Sequence, residues 1–209
     1  LRMLYKPELK GANDLVPGVM ALVLMLICVM MTSVSIVREK ETGTMEVLLV
    51  SPFNPFLVII SKAIPYLFLS LINLTIILVL SITLLDMPIN GSVLLLFATS
   101  TLLIICALSL GLLISNVTQS QQAAMLISMM GMLVPTMLFT GFMFPIENMP
   151  VPLQVICNLI PSKWYYTIVK SIMIKGLGFS AIWKEILVLF GMTCFLLVVS
   201  FKKFKTRLV

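Results

Sequence analysis

The chain has 209 residues, 60% hydrophobic and 11% charged, with a net charge of +6 and no histidine. Soluble domains carry about 25% charged residues, so this composition, with a mean hydropathy of +1.16, excludes a water-soluble globule and describes an integral membrane protein. The missing histidine removes the usual metal ligand and the usual acid–base residue, and the basic excess sits at span ends and in the tail, which suits lipid headgroups rather than nucleic acid.

Leu1 to Asp14 is polar, has no signal-peptide pattern and does not begin with methionine. It reads as mid-protein sequence, so the chain is expected to be a fragment. A spanning helix needs about 20 apolar residues. The first such run covers 15–37, has no charge, and places Pro17 at its opening turn, where a missing N–H is tolerated. A charged island, 38–51, follows. The second run, 57–85, is interrupted near its start by Lys62 and Pro65 and ends in the turn formers Asp86 to Gly91. The third run is 92–115. Asn116 to Gln122 reads as a polar, uncharged loop, and the fourth run is 123–144, with Pro135 inside it.

Residues 145–180 are broken by Pro145, Pro150, Pro152 and Pro161. Lys163 and Lys170 share a helix face, and Trp164, Tyr165, Ile168, Val169, Ile172 and Met173 surround it with apolar and aromatic surface. That pattern predicts a helix lying in the interface, or a shallow re-entrant hairpin, more than a sixth span. The last run is 182–201, with Trp183 and Lys184 at the interface. The expected fold class is all-α: a polytopic membrane protein with one transmembrane domain over 1–209. It has five transmembrane helices, a short cytosolic coupling helix over 38–51 and an outer hairpin over 145–180. Cys28, Cys106 and Cys194 fall in apolar runs and Cys157 in a loop, where they read as small packing residues rather than a disulfide framework.

Charge within the bilayer is costly and marks function where it occurs. The centres of all five runs lack it, so no ion-coupling carboxylate is available, and no stretch fits the phosphate-cradling glycine–lysine loop. Work done by this chain must be powered by another polypeptide. The island then has a task. Arg38, Glu39, Lys40, Glu41 and Glu46 form a dense mixed-charge patch beside the apolar Leu48 to Val50. Stopping translocation needs only Lys or Arg, so mixed charge points to a docking helix, bent or shortened by Gly43 and Pro52. Asn73 and Thr75 stand out mid-span, where an interhelical hydrogen bond is the plain reading and a substrate path the sharper one. Thr136 and Thr140, four apart, are candidates for the same path. Basic residues divide seven against seven between the two sides. The dense tail, Lys202 to Arg207, places the C-terminus inside.

Arg38-Glu39-Lys40-Glu41-x-Gly43-Thr44-Met45-Glu46-x-Leu48-x-x-x-Pro52 resembles the signature of type-2 ABC transporter permeases, the membrane subunits of bacterial ABC exporters. Pro7-Glu8-Leu9 with Val16-Pro17-Gly18 resembles the approach to their second span. Thr118-x-x-Gln121-Gln122-Ala123-x-Met125 resembles their second cytosolic loop. Gly141-Phe142-x-Phe144-Pro145-x-Glu147-x-Met149-Pro150 is similar to the outer edge after their fifth span. Asn158-x-x-Pro161 with Tyr165 and Lys175-Gly176 is similar to their extracellular re-entrant segment.

The resemblance implies the C-terminal membrane part of such a permease, lacking the family's first span and extracytosolic domain. It implies a multi-pass location in the bacterial inner membrane and a dimer with a second copy or a paralogue. It also implies cytosolic ABC ATPase subunits that grip the 38–51 helix. ATP and magnesium would reside on that partner, leaving no cofactor, metal or catalytic residue in this chain. A periplasmic adaptor is a further candidate partner, besides the lipid bilayer. Arg38, Glu39, Lys40, Glu41, Thr44 and Glu46 are the expected ATPase-coupling residues, with Thr118, Gln121 and Gln122 in the second cytosolic loop. The alternatives are a passive channel or facilitator, which would need a better polar lining than the spans offer, and a membrane scaffold that docks a cytosolic complex without cargo.

Overall fold

The computed structural model describes residues 7–43, 55–85 and 89–206. Seven α-helices follow in order among them: α1 Pro7–Glu41, α2 Pro55–Leu85, α3 Val93–Val117, α4 Gln121–Phe139, α5 Val151–Asn158, α6 Pro161–Met173 and α7 Phe179–Thr206. A single 3-10 turn, Ile146–Asn148, precedes α5. Five of these helices, α1 to α4 and α7, are long and apolar enough to cross a membrane. The all-helical, multi-pass architecture expected from composition is the one observed.

The five long helices run alternately through a common layer. One end of the bundle carries Glu41, Val117 and Gln121, and is called the corner. The other carries α5, α6 and the start of α3 and α7, and is called the hairpin end. Helix α1 is the axis: it packs on α2, α3, α4 and α6, while α3 also holds α6 and α7. Met20, Ala21, Leu24, Met25, Cys28 and Val29 of α1 are all buried in the core with Leu74 and Leu78 of α2 and Leu96, Leu103, Ile104 and Ala107 of α3. Outward side chains such as Phe68 and Ile72 on α2 or Phe190 and Phe195 on α7 are large, apolar and exposed, as a lipid-facing surface requires.

Several element limits differ from the sequence expectation, each for a local reason. Helix α1 starts at Pro7, so Pro17 lies inside it rather than at an opening turn. At 35 residues α1 is about 50 Å long, more than the roughly 30 Å of hydrocarbon. The fourth span stops at Phe139, five residues early, because the chain turns at Gly141 with φ 92. The loop expected over Asn116 to Gln122 shrinks to Thr118–Ser120. Ser120 caps α4 by accepting from the Ala123 N–H at 3.2 Å, and Thr118 closes α3 through its own N–H to the Ile114 carbonyl. Pro65 sits within a continuous α2, and α7 extends to Phe179–Thr206. Cys157, expected in a loop, is buried in α5.

The backbones of α1 and α3 approach closely. A Cβ built on Gly111 would lie 2.8 Å from Thr32 Cβ and 2.9 Å from the Val29 carbonyl oxygen. A small residue here lets two helix backbones meet, the usual device where lipid leaves little hydrophobic drive for helix association. Gly111→Ala should therefore destabilise the protein by about 1–3 kcal/mol, the usual cost of over-packing. Gly191→Ala, with open space at its Cβ, should not. Thermal unfolding of both variants in detergent checks this, and equal melting temperatures would contradict the close contact.

Candidate functional site

The charged end of α1 and the α3–α4 turn come together at the corner. Arg38, Glu39, Lys40 and Glu41 are not the start of a separate helix, as the 38–51 expectation had it, but the last turn of α1. The helix stops because Gly43 adopts φ 71, a left-handed conformation open to glycine without a Cβ penalty. The Thr42 and Gly43 N–H groups close the end onto the carbonyls of Arg38 and Lys40. The Thr42 hydroxyl also donates to the Arg38 carbonyl at 3.0 Å. Thr44, Glu46 and the rest of 44–51 lie outside the described residues.

Two neighbouring side chains of opposite charge reach across from α1. The Lys40 ammonium donates to the Ser115 carbonyl, in the last turn of α3. The Glu41 carboxylate accepts from the Gln121 backbone N–H at 2.9 Å with one oxygen and from the Gln121 side-chain amide with the other. Each charge faces the helix end that its sign suits: a cation meets unpaired carbonyls at a C-terminus, and an anion meets unpaired N–H groups at an N-terminus. Of the expected second-loop residues, Gln121 is joined to Glu41, Thr118 is buried as the cap of α3, and Gln122 is exposed. Sequence had named both halves of the corner without pairing them.

The four candidate path residues do not form one group. Asn73 donates to the Leu69 carbonyl at 3.1 Å and Thr75 to the Leu71 carbonyl at 2.8 Å, both within α2. The interhelical bond expected for Asn73 is replaced by a bond to its own backbone. Thr136 lies on α4 and Thr140 is its C-cap, and both are buried. The Thr140 hydroxyl donates to the Thr136 carbonyl, and Ser162 of α6 donates to Thr136 Oγ1 at 3.4 Å. These two threonines therefore face the hairpin, whereas Asn73 and Thr75 sit on α2, which packs on α1 and α3.

The hairpin enters the bundle more deeply than an interfacial helix would. Tyr165, Ile168, Val169, Ile172 and Met173 of α6 are fully buried. The Tyr165 hydroxyl meets Ser100 Oγ at 2.7 Å, seven residues along α3 from Val93 and so about 10 Å below its end. Pro161 opens α6 where its missing N–H is harmless. Trp164 Nε1 donates to the Asn158 carbonyl at 3.0 Å and Lys163 to the Asn158 side chain, which tightens the α5–α6 turn. At the far end of α6, Asn90 donates its backbone N–H to the Met173 carbonyl and its amide to the Ile174 carbonyl, both at 3.2 Å. The hairpin that sequence left as interfacial or re-entrant thus packs its α6 helix into the core of the bundle.

Sequence reading missed the polar pairs between helices. Ser33 on α1 meets Ser128 on α4 at 2.7 Å, and Cys28 on α1 meets Ser70 on α2 at 2.9 Å. The signal was present only as small polar residues on apolar helices, a pattern too common to single out. Glu185 was missed as well: its Oε2 is buried near the start of α7 with no hydrogen-bond partner among the described residues.

Residues 2–202 match the family described as "ABC-2 family transporter protein". The chain is 30% identical over 175 residues to the protein named "Probable multidrug ABC transporter permease YbhS" of Escherichia coli K12, covering 84% of this chain and 46% of that protein. It is 32% identical over 186 residues to "Probable multidrug ABC transporter permease YbhR" of the same organism, covering 89% and 50%. It is also 29% identical over 192 residues to "Inner membrane transport permease YhhJ" of that strain, covering 90% and 50%. The chain thus spans about half the length of the curated relatives it matches. No solved structure matches it significantly.

The Tyr165–Ser100 contact offers a direct check on hairpin depth. Ser100 donates its proton to the Leu96 carbonyl at 2.7 Å, so Tyr165 is the donor between the two hydroxyls. A double-mutant cycle with Tyr165→Phe and Ser100→Ala, read by thermal unfolding, should give a coupling of about 0.6–1.7 kcal/mol. Additive effects would place the tyrosine elsewhere.

Proposed function

The chain belongs to the ABC-2 family of transporter proteins, and from that premise we propose that it is the membrane-spanning part of a permease subunit in an ATP-driven exporter. A separate cytosolic ATPase supplies the energy; ATP and magnesium belong to that partner. The observation that carries this reading is the meeting of Arg38–Glu41 with the α3–α4 turn at one end of five apolar helices. A polar, mixed-charge corner on a bundle whose span centres carry no charge is a place for a soluble machine to push. The relatives named as permeases support it, as does the lack of charge at the centres of the spans.

The corner then faces the cytosol and the hairpin the opposite side of the bacterial inner membrane, the location that the name of one relative carries. Arg38 and Glu39, with Thr44 and Glu46 beyond the described residues, are the side chains proposed to meet the ATPase. A second permease copy or paralogue completes the path, and a periplasmic adaptor extends it. Thr136 and Thr140 beside the hairpin, and Asn73 and Thr75 on α2, mark two candidate stretches of that path. Two relatives are named for multidrug transport, and the weakly polar spans suit amphipathic cargo. A passive channel would transport without the ATPase, and a docking scaffold would bind a cytosolic complex without transporting anything.

The experiment uses the whole permease co-expressed with its neighbouring ATPase and reconstituted in liposomes. The Arg38→Glu/Glu39→Lys variant should insert normally yet lose substrate-stimulated ATP hydrolysis by about tenfold or more, equivalent to about 1.4 kcal/mol in coupling. Normal turnover in that variant, or transport by the permease without ATPase, would overturn the reading.

A further inference from the structure

We propose that Lys40 and Glu41 form an internal clamp that makes α4 follow α1, so that force applied at the corner reaches the hairpin through α4. This rests on the permease reading and adds the route by which the motion travels.

Helix α4 is held along one stripe. Gln121, Ala124, Ser128, Thr136 and Thr140 recur at helical spacing, and the last four are buried, whereas Met125, Leu126, Met129, Met130 and Val134 on the other faces are exposed. The stripe is attached at three heights. At the corner Glu41 takes both the backbone N–H and the side-chain amide of Gln121. Some way up, Ser33 accepts from Ser128 at 2.7 Å, since the Ser33 proton goes to the Met30 carbonyl. Near the top Thr136 receives Ser162 of the hairpin. The lower two ties are to α1 and the upper one is to α6, so α4 bridges the helix that carries the charged island and the segment that closes the opposite end.

The clamp is specific in sign. The turn between α3 and α4 has only three residues, Thr118 to Ser120, and presents a carbonyl-rich end on one side and an N–H-rich end on the other. Lys40 takes the first and Glu41 the second. Reversing the two charges would set each against its helix end. A bidentate carboxylate also resists rotation of α4 about its axis, which one hydrogen bond would not. A push on the 38–43 segment therefore moves the lower end of α4 with α1, and a rigid helix carries the displacement to Thr136 and Ser162.

The test uses the full permease with its ATPase in proteoliposomes, with Cys28, Cys106, Cys157 and Cys194 replaced by serine. Glu41→Ala should lower substrate-stimulated ATP hydrolysis and transport about fivefold or more. Loss on that change alone could come from misfolding, so the Glu41→Cys/Gln121→Cys pair provides the decisive arm. Unlinked, it should be as impaired as Glu41→Ala; joined by a short bis-maleimide, it should regain most of the transport. Failure of the pair to cross-link, or no recovery once linked, overturns the clamp, as does full coupling in Glu41→Ala. If the serine-substituted parent itself shows no ATPase stimulation while the native-cysteine permease does, the same arms are read in the native background with Glu41→Lys and Glu41→Lys/Gln121→Glu, recovery in the second supporting the clamp and none overturning it. If the native permease shows no ATPase-driven transport, the permease reading fails instead.

Discussion

A helix that crosses hydrocarbon must find every hydrogen-bond partner within the protein, because no water is there to provide one. That constraint shapes the whole bundle. The backbone satisfies itself in long helices, and most buried hydroxyls donate to a carbonyl three or four residues back, as Ser70, Ser100, Ser109 and Thr193 do. A serine that has donated in this way still has lone pairs to offer. Ser70, Ser33 and Ser100 each use them to receive a neighbour: Cys28, Ser128 and Tyr165. Helix self-sufficiency and helix association thus come from the same groups, one donating along the chain and accepting across it.

Steric closeness works with this pattern. Gly111 brings the α3 backbone against Val29 and Thr32 of α1, and α1 packs in turn on α2, α3, α4 and α6. The two bundle ends differ in kind. The corner is joined by charge against helix ends, a contact that can be strong at a polar boundary. The hairpin is joined by buried aromatic and apolar surface around Tyr165, Ile168 and Ile172, with two hydroxyl pairs, Tyr165–Ser100 and Ser162–Thr136, beside it.

The legibility of the fold varied with the signal. Five spans were readable because a run of apolar residues of the required length admits few alternatives in a membrane protein. Their ends were less so. Pro17 reads as a helix start, yet α1 passes through it, since Pro7 ten residues earlier begins the helix instead. Phe142 to Phe144 read as span, yet the turn at Gly141 had already ended α4. The hairpin was recognisable as irregular from its prolines, but its depth depends on Tyr165 finding Ser100, a pair 65 residues apart.

Composition and hydropathy, acting through the cost of exposing polar backbone to lipid, determined that this is a helical, multi-pass protein, and residue order carried the signature of its family. Both are properties of short stretches, so they can be read along the chain. Tertiary structure alone decided that Lys40 and Glu41 grip the α3–α4 turn, that Asn73 turns back on its own helix, and that Thr136 meets the hairpin. Those outcomes depend on which helix faces stand opposite one another, and that is set by small-residue contacts such as Gly111 against Thr32. No local pattern encodes the rotation of one helix relative to another.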